Sequence, residues 1–122
     1  MHILLIQPNQ KPRPCTIVNT LEAMQSIVGG LIQAVYPFDE PVALICNEEA
    51  KLDGMPPNRA LRDEDGNMYD IVCGTFFLCA APPNSENFES LNEEQIDRYT
   101  QLFRYPEVFL RFNGKIVAVP VA

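Results

Sequence analysis

Ile71 to Ala81, reading IVCGTFFLCAA, is apolar on both of its alternating faces. In an extended chain Ile71, Cys73, Thr75, Phe77 and Cys79 fall on one side, and Val72, Gly74, Phe76 and Leu78 on the other. Such a strand has no side to give to water, so it belongs in the centre of a sheet. Everything else in the chain must be arranged to cover it.

The remaining segments supply partners for that strand. Ile3 to Gln7 and Cys15 to Val18 flank the turn Pro8 to Pro14 and predict an irregular hairpin. Asn19 offers an N-cap with Glu22 three positions on, and Leu21, Met24, Ile27 and Val28 follow at helical spacing until Gly29-Gly30. Leu31 to Tyr36 and Pro41 to Cys46 bracket the turn Pro37 to Glu40 and predict an antiparallel pair. Asp65-Gly66 is a hairpin signal between Arg59 to Glu64 and Asn67 to Asp70, whose second arm runs on into the central strand. Ser90 and Glu93 form a capping box for a helix with the stripe Leu91, Ile96, Tyr99, Leu102 and Phe103. Asn113-Gly114 then joins Val108 to Phe112 and Lys115 to Val119 in a last hairpin. At 122 residues this is one domain, 1–122, with a core of its own. The expected class is α+β, a mostly antiparallel sheet with two amphipathic helices packed on one face.

Charge separates along the chain. From Asp39 to Asp97 there are 14 acids against 3 bases, while from Arg98 onward four bases face Glu107 alone. A net charge of -7 disfavours direct nucleic-acid binding, which needs clustered Lys and Arg. The plain reading is a charged surface for solubility whose acidic and basic regions attract each other, and the sharper one is an acidic face that docks on a basic protein partner. The apolar run Ile3 to Ile6 is too short for a signal-peptide core or a membrane span, so the expected location is the cytoplasm, with no membrane partner. There Cys15, Cys46, Cys73 and Cys79 stay reduced, and their spacing contains no C-x-x-C pair.

Most familiar chemistries fail on residue type. The sole histidine, His2, is a poor base for a Ser or Cys nucleophile, and no zinc ligand set is evident. Setting Gly66 at position six of a calcium loop places Leu61 at one and Val72 at twelve, so both essential ligands are missing. Gly29-Gly30 follows a helix and precedes a strand, the reverse of a phosphate loop. No cofactor is expected, and the chain reads as a non-enzyme.

What remains is polar loop chemistry in the centre. Asn47, Glu48, Glu49, Lys51, Asn58 and Arg59, with Asp63 and Asp65 on the neighbouring turn, are the candidate ligand- or partner-binding residues. Arg59, held stiffly after Pro56-Pro57, is a forked donor for a carboxylate or phosphate. The plainer reading makes Asn47 and Asn58 turn caps and pairs Arg59 with Glu48 or Glu49. Edge strands and Phe109, Phe112 and Val119 also leave room for a homodimer.

Five motifs together resemble a family of small domains of unknown function common on bacteriophages, plasmids and conjugative elements. They are Val28-Gly29-Gly30, Asn47-Glu48-Glu49-x-Lys51-Leu52, Pro56-Pro57-Asn58-Arg59-Ala60, Asp63-Glu64-Asp65-Gly66, and Tyr69-Asp70-Ile71-Val72-x-Gly74-Thr75-Phe76. The likeness runs from Ile3 to about Phe103, and the glycine usual in the second motif is Ala50 here. It implies no reaction or cofactor. It implies an accessory protein of a mobile element, with a host or phage-defence protein as partner. The alternative is a small-molecule or nucleotide-binding domain built on the central loops.

Overall fold

A computed structural model describes residues 1–122. Its nine strands are β1 (His2–Ile6), β2 (Arg13–Thr16), β3 (Ile32–Val35), β4 (Val42–Asn47), β5 (Pro57–Arg62), β6 (Met68–Cys73), β7 (Phe76–Ala80), β8 (Glu107–Phe112) and β9 (Lys115–Pro120). Two helices, α1 (Leu21–Val28) and α2 (Glu93–Leu102), complete an α+β fold. A five-stranded antiparallel sheet has the order β2-β1-β7-β4-β3, and β5–β6 and β8–β9 form separate two-stranded sheets.

Ile71 to Ala81 is therefore not one strand. Gly74 takes φ +75°, a left-handed conformation open to glycine, and breaks it into β6 and β7. Only β7 lies at the centre, between β1 and β4, with Leu78 level with Leu4 on one side and Leu44 on the other. All five residues of β7 are buried.

The helices cover opposite faces of the sheet, which corrects the expected one-sided packing. Ile3, Leu5, Ala43, Ile45, Phe77 and Cys79 point to one side and meet Met24 and Val28 of α1. Leu4, Ile6, Val42, Leu44, Phe76 and Leu78 point to the other, under Tyr99 and Phe103 of α2 and Leu61 and Val72 of the β5–β6 hairpin. The cause is period-two alternation in three strands whose residues are apolar on both sides.

Local signals hold with small shifts. The N-cap of α1 is Thr20, whose side chain accepts from the Ala23 N–H, while Asn19 donates to the Phe88 carbonyl. Gly29 closes α1 at φ +83°. The capping box of α2 is Asn92 with Gln95, and Ser90 instead accepts from the His2 N–H. Asn113 and Gly114, both at positive φ, make the last hairpin turn.

Candidate functional site

Asn58 and Arg59 leave the Pro56-Pro57 turn pointing inward, and each is 1% exposed. Asn58 Nδ2 donates to the carbonyls of Ile6 (2.9 Å) and Gly74 (2.8 Å), tying β5 to β1 and to the kink before β7. The Arg59 guanidinium donates to Phe103 O from Nε (3.2 Å) and Nη2 (3.1 Å), to Gln10 O (2.6 Å), and to Asn58 Oδ1 (2.8 Å) and O (3.3 Å). All five N–H groups are used, in five bonds to four acceptor atoms. Phe103 is the C-cap of α2, so Arg59 also places positive charge where the helix presents unpaired carbonyls. Burial pushes its pKa down and the field of Glu107 opposes that. Glu48 and Glu49 make no ion pair with it.

Glu107 is itself buried, accepting from the Ala60 N–H at 2.9 Å and from Arg62 Nη2 at 2.6 Å. It anchors the start of β8 against β5. Beside it opens a cleft between α2, the β3–β4 turn, the tip of β5–β6 and the base of β8–β9. Two adjoining hollows of about 430 and 760 Å³ share Pro37, Phe38, Arg62, Asp63 and Tyr69. Phe38 packs against Tyr99 with ring centroids 4.6 Å apart, and Tyr69 is 57% exposed.

The electrostatics of this cleft are one-sided. Glu40 accepts from the Tyr99 hydroxyl at 2.5 Å, from Arg98 and from Gln95 Nε2 at 3.4 Å. The Tyr99 bond, followed by the Arg98 and Gln95 contacts, outweighs desolvation and holds Glu40 below the ordinary carboxylate value. Burial, with Glu40 adjacent, pushes the Tyr99 phenol up. The lining arginines are engaged: Arg62 with Glu107, Arg98 with Glu40, Arg104 with Gln101 and over the Tyr105 ring. Asp39, Glu64 and Asp65 line the same cleft without any side-chain partner in the fold. Asp63 is half committed, since its Oδ1 accepts from the Asp65 and Asn67 N–H groups at 3.0 and 2.9 Å.

Asn47, Glu48, Glu49 and Lys51 lie apart, on a third hollow of about 160 Å³ with Cys46 and Cys73. Buried Asn47 donates to Val28 O at 3.2 Å and accepts from the Glu49 N–H at 2.7 Å, joining the end of α1 to the loop. Lys51 pairs with Asp70 at 2.7 Å, both well exposed. Burial raises the thiols of Cys46 and Cys73, so neither is activated as a thiolate. The candidate residues thus divide into interior clasps (Asn47, Asn58, Arg59), an outer groove (Glu48, Glu49, Lys51) and a cleft rim (Asp63, Asp65). Asn47, Glu49 and Lys51 share no pocket with Asn58 and Arg59, because Asn58 turns to the Ile6 and Gly74 carbonyls and Arg59 to the end of α2.

Phe38, Glu40, Tyr69, Arg98 and Tyr99 were not among the candidate binding residues of the sequence. Tyr99 stood in an apolar stripe and Glu40 in a turn. Only the packing of α2 beside that turn unites them.

Fold and cleft define a small α+β domain with an acidic, aromatic-walled surface cleft. No group of three or more His, Cys, Asp or Glu residues is placed to hold a metal ion. No helix is long and apolar enough to cross a membrane. Residues 1–104 match the profile of the domain of unknown function DUF3846, and the chain belongs to that family. No curated protein and no solved structure matches it.

Proposed function

We propose that this domain is a non-enzymatic binding module that receives a basic segment of another protein in the acidic cleft. The observation that carries this is the imbalance in the larger hollow: Asp39, Glu64 and Asp65 are unpaired, while its two arginines, Arg62 and Arg98, are already paired with Glu107 and Glu40. A Lys or Arg side chain entering would find carboxylates at the rim and the rings of Phe38, Tyr69 and Tyr99 on the walls. Carboxylates so placed imitate phosphate, which suits a host or defence protein whose basic site ordinarily holds nucleic acid. An accessory protein of a mobile element would act this way, by occupying that site.

Calorimetric titration with Lys- and Arg-rich peptides tests the reading. Binding is expected to weaken with salt, as screened charge contacts do, and to fall at least about tenfold in a Asp63→Lys, Glu64→Lys, Asp65→Lys variant. Equal affinity in the variant, or equal affinity for acidic peptides, rejects it.

A further inference from the structure

The β8–β9 hairpin lies beyond the residues matched by the family profile and carries an apolar face with nothing over it. In its register Val108 stands opposite Val119, Leu110 opposite Val117, and Phe112 opposite Lys115. These six share one side. The five hydrophobic members are 40 to 66% exposed, Phe112 the most. The other side is the one that docks: Glu107 is buried, and Phe109 and Ala118 are half-buried.

Attachment is confined to the base of the hairpin. Arg62 reaches Glu107 and, at 3.4 Å, the Ala118 carbonyl, and the Val121 N–H donates to Pro106 O. A two-stranded hairpin with a bare apolar face is marginal in water and gains most from a cover.

We propose that this face is the interface of a homodimer, with the hairpins of two copies packed against each other about a two-fold axis. Area supports this occupant. The five side chains with Val121 from each copy bring roughly 1,000 Å² into a mutual contact, the threshold of a specific interface. Charge supports it too. Two molecules of net charge -7 repel, and the only acid on the two strands, Glu107, is paired with Arg62, so the hairpin adds no exposed carboxylates to that repulsion. Val108, Leu110, Val117 and Val119 at the centre of the face carry no charge, and Lys115 stands at the tip beside the turn, where an antiparallel arrangement of the two hairpins keeps its two copies apart.

Sedimentation of the full chain across micromolar to submillimolar concentrations tests the proposal. The wild type should approach twice 13.7 kDa. Leu110→Asp with Phe112→Asp should raise the dissociation constant at least ~100-fold, because charges would be buried unpaired. Both positions are exposed in a single copy, so the far-UV spectrum should not change. Hydrogen exchange of the wild type gives an independent readout: β8–β9 amides should be protected at high concentration and exposed on dilution. A wild type that stays at 13.7 kDa throughout overturns the proposal. So does a dimer that survives the double substitution, or protection of the hairpin that appears only with a different protein.

Discussion

Arg59 has no donor to spare for a ligand, because β5, the end of α2 and the Pro8–Pro14 loop take all five of its N–H groups. It holds three parts of the chain in one place. Arg59→Lys keeps the charge but offers a smaller head with three donors, leaving carbonyls of Phe103 and Gln10 unmet. A loss of about 3 kcal/mol in urea unfolding is expected. A loss below roughly 1 kcal/mol would mean that the site is wet enough to replace those bonds. Glu40 sets a second expectation. Its folded pKa lies below its ordinary value of 4.5, so its contribution is present above that value and fades as pH falls through the lowered one. Glu40→Gln should flatten that part of the acid limb of stability and soften the alkaline limb, where the raised pKa of Tyr99, owed first to burial and then to Glu40, makes stability fall as pH climbs past 10.0. Unfolding midpoints measured across pH check both slopes. An unchanged acid slope in Glu40→Gln would place the titration elsewhere.

At the scale of elements, Gly74 does the most to shape the fold. Its left-handed backbone ends β6 and starts β7, and a Cβ there would stand 2.8 Å from Met55 Sδ. Gly66 also has positive φ, at +82°, but open space around it. Gly74→Ala should therefore cost about 1–2 kcal/mol from backbone strain and more from Met55, exceeding Gly66→Ala. Thermal unfolding of the two variants decides it, and the reverse order would refute a steric pin at the kink. Both helices and all four antiparallel pairs of consecutive strands were legible in the sequence because caps and turns are local chemistry. The break at Gly74 was not, since alternation continues in register on both sides and a lone glycine inside a strand says little. The box at Asn92 and Gln95 lay two residues beyond Ser90 and Glu93, and only the bond from the His2 N–H to Ser90 shows why.

Across the whole molecule, the two-faced character of β7 was visible, and its consequence, cover on both sides, follows from the same alternation. With α1 on one face and α2 on the other, the β5–β6 hairpin is drawn over α2's side, and the cleft opens where these elements meet the β3–β4 turn. Distant sequence positions such as Glu40, Tyr69 and Arg98 meet there, which no local pattern announces. The acidic bias from Asp39 to Asp97 was plain, and the meeting of Asp39 and Glu40 with Asp63, Glu64 and Asp65 at one cleft is a product of topology. Asn58 and Arg59 looked like displayed groups and are interior ones, because a polar residue after a rigid turn reads alike whether it faces water or a set of carbonyls. The most direct test of the cleft is an amide chemical-shift map during titration with a Lys- and Arg-rich peptide. Shifts should concentrate at Phe38 to Glu40, Arg62 to Asp65, Tyr69 and Arg98; shifts centred on Glu48 to Lys51, or none, would contradict the account.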